Sequence, residues 1–354
     1  MLGALEARDR LLREVRSCFA EAGFLEVETP VVVSTPCMEE HIDAVACGSR
    51  FLRTSPELFH KRLMAGGANR IYEIARCFRA GEVGRLHHPE YTMLEWYRSA
   101  ADYRDVMEDT RMLVNRVSSV FNRAVPDWHC YRVGELFVEL TGWNPVLEFD
   151  GDRFDALLCE RIEPFFEQVG GAVFLMDYPV EAAALSRCHP DGHAERWELY
   201  LDGVEVANAY SELNDPIDQR KRFEEQLELS EKGDDEAMFI DQDFLRSLEY
   251  GMPPTSGIGI GIDRLCMLLT NNSSIQEVLF FPQMKPETKV VPLTEEEKIV
   301  LDLLKQENPI ALPSLKEKAG LSNKKWDKAI KGLTSNKLAQ VKKEQTALFV
   351  ALIT

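Results

Sequence analysis

The period of the apolar positions changes several times along the chain, and each change predicts an element. Residues 1–24, MLGALEARDRLLREVRSCFAEAGF, set apolar side chains on one helical face and charges on the other, with no apolar signal core. IYEIARCFR (71–79) and EYTMLEWYR (90–98) alternate as strands do, about ten residues apart. Alternation puts Met93, Glu95 and Tyr97 on one face and Thr92, Leu94 and Trp96 on the other. In RWELYLDGVEVANAYSELND (196–215), Asp202-Gly203 predicts a two-residue hairpin. That turn sets 201 opposite 204, 200 opposite 205 and 198 opposite 207. TSGIGIGIDRLCMLL (255–269) predicts a strand with Gly257, Gly259 and Gly261 on one face, leading into a helix that begins near Arg264. In FLRTSPELFHKRL (51–63), Ser55 is suited to cap a helix whose first residue is Pro56, with Glu57 in its first turn. Residues 216–250 are charged, have helical spacing, and predict an insertion between strands.

The pattern stops in FFPQMKPETKVVPL (280–293), which carries three prolines and no period. Residues 1–282 are therefore expected to form one domain, 283–293 a linker and 294–354 a second domain. In the latter, LTEEEKIVLDLL, LPSLKEKAG and SNKKWDKAIKGL predict three helices, and AQVKKEQTALFVALIT a hairpin. This is the plan of a winged helix-turn-helix, a domain that binds nucleic acid or protein. Charge follows the same division. The chain carries −18, yet residues 313–354 hold nine lysines against three acids, leaving about −24 on residues 1–312. Two parts with different partners are implied.

No apolar run approaches the roughly 20 residues of a membrane helix. The eight cysteines form no CxxC pair, which fits a reducing cytosol and predicts a cytoplasmic protein. Cys188, His189 and His193 stand close together, but their spacing matches no standard zinc pattern.

Candidate chemistry concentrates in the strands. A hairpin with Arg79 at one end and Glu95 and Tyr97 on the neighbouring strand has a positive end for a phosphate or carboxylate and a negative end for an ammonium. An ion-paired surface hairpin is the bland alternative. Glu198 and Glu205 are diagonal neighbours across the Asp202-Gly203 hairpin, and two carboxylates that close need a cation or proton between them. Magnesium suits such oxygen ligands. Asn208, Tyr210 and Glu212 share a face, but parity sets them opposite Glu205. Convergence of all four requires a bulge between 205 and 208. The glycine face of 257–261 is bare, so a flat ligand can lie on it; its GxGxG spacing is not a dinucleotide fingerprint.

Together these segments resemble the catalytic domain of class II aminoacyl-tRNA synthetases, in the lysine-specific subgroup. GFLEVETPVV (23–32) resembles motif 1, residues 78–97 motif 2 and GIGIGIDR (257–264) motif 3. The resemblance covers about 1–282. It implies an α+β fold, a six- or seven-stranded antiparallel sheet flanked by helices, and a homodimer through the motif 1 region near Pro30. It implies an ATP site of Arg79, Ala80, Gly81, His88, Glu205, Val206, Gly261 and Arg264, with Arg79 on the α-phosphate and Arg264 on the γ-phosphate. Magnesium falls to Glu198 and Glu205. The amino acid falls to Ser55, Pro56, Glu57, Glu95, Tyr97, Asn208, Tyr210, Glu212 and Gly259, with Glu212 and Tyr97 at its side-chain ammonium.

Two departures modify the picture. Motif 2 of the family reads Phe-Arg-x-Glu, whereas here Phe78-Arg79-Ala80-Gly81 places Glu82 one position late. The sequence also starts almost at motif 1, where lysyl-tRNA synthetases carry an anticodon-binding barrel. A core without that barrel resembles the truncated paralogues that attach lysine or β-lysine to elongation factor P, and GRLHHPEYTMLEWYR is especially similar to them. The basic C-terminal domain of this chain is not part of that family's usual pattern. The leading expectation is thus an ATP-dependent ligase that activates lysine or β-lysine and acylates elongation factor P. A stand-alone synthetase charging tRNA comes second and a non-catalytic nucleotide- or nucleic-acid-binding regulator third.

Overall fold

The structure is a computed structural model that describes residues 2–37, 42–124, 126–232, 240–282, 293–306, 308–335, 338–344 and 347–352. Two compact units divide the chain, Met1–Gln283 and Met284–Thr354.

The first unit is built on one sheet. Its strands are β1 (Leu25–Glu26), β2 (Arg70–Phe78), β3 (Glu90–Ser99), β4 (Trp128–Arg132), β5 (Ala172–Pro179), β6 (His193–Leu201), β7 (Val204–Ser211) and β8 (Thr255–Gly261). The spatial order is β1-β2-β3-β8-β7-β6-β5-β4. The six central strands are antiparallel, as expected. The sheet is larger than the six or seven strands expected, because each edge gains one parallel strand, β1 on β2 and β4 on β5.

Alternation decides which face holds what. Tyr72, Leu94, Trp96, Phe174, Trp197, Leu199, Ile258 and Ile260 form one continuous core with three helices: α1 (Leu2–Glu21), α3 (Tyr103–Val120) and α4 (Ile262–Leu269), with α2 (Glu57–Ala65) lying elsewhere. Leu94 and Trp96 are fully buried, and each contributes on the order of 2–3 kcal/mol by leaving water. The intervening residues face the other way. Near the β2 edge, Ile71 and Tyr97 pack with Leu58, Phe223, Phe244 and Leu248. Near the β4 edge, Val173, Leu175, Tyr178 and Tyr200 pack with Phe137, Phe154 and Phe166. Between these two clusters the sheet stays open, and the cavity lies there.

Local chemistry fixes the connections. Asp202 and Gly203 both have positive φ, 48° and 77°, as a tight hairpin matching strand twist requires. A Cβ on Gly203 would stand 2.4 Å from Glu167 Cγ, so only glycine fits. The pairs 201–204 and 200–205 form as expected, but the register then shifts and Glu198 faces Asn208 rather than Ala207. The shift lies between Glu205 and Ala207, so the bulge that convergence required is present. The Ser55 helix starts at Glu57, with Pro56 before it; Ser55 Oγ still accepts the Glu57 N–H at 3.0 Å. The 216–250 insertion consists of helices Pro216–Lys232 and Gln242–Tyr250, with 233–239 outside the described residues.

The second unit has its own core of Val300, Leu304, Ile310, Leu315, Trp326, Ala329, Leu333 and Val350. Helix Glu295–Gln306 is followed by strand Ile310–Ala311, helices Leu312–Ala319 and Asn323–Ser335, and strands Ala339–Glu344 and Ala347–Leu352. On helix Asn323–Ser335, Lys324, Lys328 and Lys331 are exposed, whereas Lys325 pairs with Glu296 at 2.6 Å. Most of the expected linker, 283–292, lies outside the described residues.

One buried ion pair fixes α4 to the rest of the sheet. Arg8 Nη1 donates to Asp263 Oδ1 at 2.5 Å and Arg8 Nη2 to Thr92 Oγ1 at 2.6 Å, while Asp263 Oδ2 accepts the Thr92 N–H at 2.7 Å. Removing one partner of such a pair leaves the other buried and uncompensated. Asp263→Ala is expected to destabilise the protein by about 3–5 kcal/mol, read from urea unfolding. Arg13→Ala breaks only the exposed pair with Asp9 and is expected to stay within about 0.5 kcal/mol of the parent.

Candidate active site

The cavity on the open face has a volume of about 590 Å³. Its floor is the glycine column of β8, flanked by β3 and β7: Gly257 sits beside Tyr97 and Tyr210, Gly259 beside Glu95 and Asn208. The column is not uniformly bare. A Cβ on Gly257 would stand 2.2 Å from Tyr97 Cε1 and 2.3 Å from Glu212 Oε1, so this glycine makes room for two side chains. Gly259 would meet Met93 Sδ at 3.1 Å, and Gly261 meets nothing closer than 3.8 Å. Space for a flat ligand is therefore confined to the Gly259–Gly261 end.

That end holds the cavity's Arg79 and Arg264. Arg79, Glu82, His87, His88, Glu205, Val206 and Arg264 line it. Arg264 is held from three sides, donating to Leu86 O at 3.2 Å, to Glu205 O at 2.8 Å and toward His87 Nε2 at 2.9 Å. Burial and the Arg264 charge lower the His87 pKa, so the neutral ring accepts from the guanidinium. His87 was missed in the sequence; the assigned neighbour, His88, is buried and bonds the Glu90 carbonyl at 2.6 Å while also lining the cavity. Gly81 adopts a left-handed φ of 75°, which re-aims the next residue. Glu82 thereby reaches the cavity, 3.7 Å from Arg79 Nη1. Ala80 and Gly81 do not line it themselves, and neither does Pro56.

Glu198 and Glu205 meet on this side. Glu198 Oε2 accepts from Tyr178 Oη at 2.6 Å and Tyr200 Oη at 2.8 Å, and Oε1 from Arg196 Nη2 at 2.5 Å. A carboxylate oxygen has two lone pairs, so Oε2 is saturated and Oε1 keeps one. Glu205 gives Oε2 to Arg264 at 3.2 Å, leaving Oε1. Burial first, then the Glu198 charge, raises the Glu205 pKa, and Glu163 is raised by burial and by both of these acids. The acids that raise Glu205 and Glu163 leave this side short of positive charge. The donor set therefore fits a hard divalent cation held through Glu198 Oε1 and Glu205 Oε1.

The opposite end is acidic and more deeply buried. Glu57, Glu95 and Glu212 are each at most 5% exposed. Glu95 accepts from Ser55 Oγ at 2.8 Å and Tyr97 Oη at 3.2 Å. Glu57 accepts from Tyr210 Oη at 3.0 Å. Glu212 lies one layer behind Tyr97 and Gly257 and is not part of the lining. Two cationic residues there escaped the sequence reading. Lys61 Nζ lies 2.6 Å from both Glu57 Oε1 and Glu212 Oε2. His60 bridges Glu73 at 3.0 Å and Glu95 at 3.4 Å. Burial works against its charge, but the two carboxylates outweigh it and raise the His60 pKa. Glu73 in turn pairs with Arg53 at 2.9 Å. The spacing Glu57–Lys61 was a visible signal, since residues four apart share a helical face.

Among the described residues, four buried carboxylates (Glu57, Glu73, Glu95, Glu212) thus face three cations (Arg53, His60, Lys61). The unmatched charge is at Glu212: its Oε1 is buried without a hydrogen-bond partner. Burial raises its pKa to about 8, Glu57 adding to the rise and Lys61 opposing it.

Away from the cavity, Cys188 Sγ takes Arg222 Nη2 at 3.2 Å, while His189 and His193 converge on Asp191 Oδ1 at 2.7 and 2.6 Å.

The family described as "tRNA synthetases class II (D, K and N)" matches residues 1–285. A protein of Christiangramia forsetii named lysine–tRNA ligase is 44% identical over 96% of this chain and 66% of its own length. Proteins of the same name from Azobacteroides pseudotrichonymphae and Porphyromonas gingivalis are 42% and 41% identical, over 79% and 83% of this chain. The chain spans 57–66% of the length of these relatives.

The contrast among the glycines is testable. Gly257→Ala is expected to destabilise the protein by about 1–3 kcal/mol, because Tyr97 and Glu212 must both move. Gly261→Ala, with only ordinary contacts, is expected to stay within about 0.5 kcal/mol. Equal losses in urea unfolding would contradict the assignment of Gly257 to packing.

Proposed function

The chain belongs to the class II tRNA synthetases of the D, K and N group, and on that premise we propose that it activates lysine with ATP, forming lysyl adenylate and pyrophosphate. The unpartnered Oε1 of Glu212 carries this reading. A buried carboxylate oxygen at the acidic end of a cavity calls for a cation, and an ammonium on a chain long enough to pass Tyr97 supplies it. Arg79, at the other end, holds the substrate carboxylate against the α-phosphate. Asn208, whose Oδ1 accepts from Arg196 at 3.1 Å, keeps its amide donors available to that carboxylate. Glu57 and Glu95 stand near the α-ammonium. Gly259 leaves room beside it, so β-lysine fits the same cradle.

The carboxylate attacks the α-phosphate in line and pyrophosphate leaves. The nucleophile is already ionised, so positioning and charge neutralisation do the work and no strong base is needed. Arg264, fixed by His87 and Glu205, meets the charge of the departing phosphates. Magnesium, held by Glu198 and Glu205, would neutralise phosphate charge there. Glu82, re-aimed by Gly81, takes the adenine-reading place of the family's motif 2 glutamate.

We assign tRNA as the acyl acceptor, since the relatives that align across most of the chain are named for it. A lysine of elongation factor P is a second reading, favoured by the stretch GRLHHPEYTMLEWYR. The C-terminal unit, a helix–strand–helix–helix–hairpin with exposed Lys324, Lys328 and Lys331, is a winged helix in this reading. A second copy of the chain is the expected partner of the motif 1 surface, where Leu25 is 65% and Tyr250 91% exposed. We put the reaction in the cytoplasm, where the eight cysteine thiols stay reduced.

Pyrophosphate exchange tests the first step, with lysine and β-lysine as substrates, and parallel incubation with tRNA and elongation factor P tests the second. Glu212→Gln is expected to raise the lysine KM at least about a hundredfold and to leave the ATP KM nearly unchanged; equal losses for both would remove Glu212 from lysine recognition. The pH dependence follows from the carboxyl near 8. Below 8 a proton occupies Glu212 and competes with the ammonium, so the lysine KM should fall about tenfold per unit as pH rises from 6 to 8 and then level. A flat profile over that range contradicts the reading.

A further inference from the structure

The lysine pocket contains a lysine of its own. Lys61 is fully buried, lies equally close to Glu57 and Glu212, and faces the rings of Tyr210 and Phe244 at 5.6 and 6.0 Å. Like Glu212 it lies behind the cavity lining, but its ion-pair partners are Glu57 and Glu212. We propose that Lys61 is a positioning residue for specificity: its ammonium neutralises one of the two carboxylates and leaves the other, through Glu212 Oε1, for the ammonium of the substrate.

The argument rests on the lysine-activation reading and on charge. Two acids and one fixed cation leave a deficit of one. A deficit of two would hold Glu57 and Glu212 apart or protonated, because like carboxylates in a buried site do not both ionise. A deficit of none would leave nothing for a cationic ligand to satisfy, and a neutral side chain would fit as well. Lys61 stays charged because its two neighbours outweigh the burial that opposes it. The groups facing the pair from each packed element are Glu57, His60 and Lys61 on α2, Glu95 and Tyr97 on β3, and Tyr210 and Glu212 at the end of β7. Tyr210 bonds Glu57 and Tyr97 bonds Glu95, and among the described residues Glu212 Oε1 has no hydrogen-bond partner. Geometry adds to charge. Nζ ties Glu212 Oε2 down at 2.6 Å, which turns Oε1 toward Gly257 and Tyr97, the side from which a ligand arrives.

The two neighbours of the deficit predict opposite effects. In Glu57→Gln, the whole charge of Lys61 falls on Glu212, whose affinity for a proton drops. The pH midpoint of the lysine KM should move to lower pH by about one unit or more, a tenfold change in proton affinity. In Lys61→Met, both acids lose their cation, the midpoint should move up, and the lysine KM at pH 7 should rise at least about tenfold. In the double variant the cation and one acid leave together, so the midpoint should return toward that of the parent. Each is measured by pyrophosphate exchange between pH 6 and 9, with the ATP KM alongside as the control for folding. A structural role alone would weaken lysine and ATP use without moving the midpoint. Midpoints that stay within about 0.3 units in Glu57→Gln and Lys61→Met overturn the proposal. If Lys61→Met does not fold, Glu57→Gln decides it, since that variant keeps the Lys61–Glu212 pair. Failure of the parent to exchange pyrophosphate with lysine removes the activation reading itself; exchange by the parent with unmoved midpoints removes only the role of Lys61.

Discussion

The site depends on an arithmetic of buried charge. Each ion taken out of water costs several kcal/mol unless a partner compensates it, so the acidic end tolerates Glu57, Glu73, Glu95 and Glu212 only because Arg53, His60 and Lys61 lie among them. The compensation stops one charge short. The missing cation is represented by a proton on Glu212 in the empty pocket, with the carboxyl at about 8. The folded state binds that proton more tightly than the unfolded chain does, so this contribution to stability is present at low pH and is lost as pH rises through about 8. A ligand ammonium supplies the same charge without the pH penalty. Substrate selection and fold stability are thus the same electrostatic problem at this end of the cavity.

The backbone delivers these groups through three local devices. Alternation along β3 sends Leu94 and Trp96 into the helical core and Glu95 and Tyr97 to the cavity. The bulge between Glu205 and Ala207 reverses parity within β7, so the Glu205 carboxylate that meets Arg264 and the Asn208, Tyr210 and Glu212 of the acidic end serve one site from one strand. Gly257 removes the side chain that would otherwise block Tyr97 and Glu212. A strand with ordinary alternation and a full complement of side chains would present one end of this cavity or the other, not both.

Most of this frame was legible in the sequence, and the exceptions have physical causes. Period-2 runs revealed β2, β3 and β7, and the positive-φ pair Asp202-Gly203 fixed the hairpin. Parity then requires a bulge if Glu205 and Asn208, Tyr210 and Glu212 are to converge. The edge strands β1 and β4 were missed because two and five residues are too few to show a period. Lys61 and His60 were missed because they sit on α2, where a charged residue normally faces water; only the carboxylates that other strands bring in from 95 and 212 make them buried counter-ions. Those partners are remote in sequence; the local Glu57–Lys61 spacing shows a pair on one helical face but not that it is buried.

The two ends of the cavity solve opposite problems, and this explains how their residues are anchored. At the acidic end one carboxylate is left incomplete, so that a single cation completes it. At the arginine end the proposed ligands are large and multiply charged, so the groups must be stiff rather than incomplete. Arg264 is clamped by a carbonyl, a carboxylate and a neutral imidazole, and Glu198 is pinned by two phenols and a guanidinium. That pinning leaves Glu198 one lone pair on Oε1, and a cation held mainly by Glu205 would be bound weakly by the protein alone. Magnesium usually keeps several waters and takes its remaining ligands from phosphates. On the proposed function, an end built this way would bind the metal well only with the nucleotide present, so nucleotide and metal are expected to arrive together while the diamino acid is selected independently at the other end.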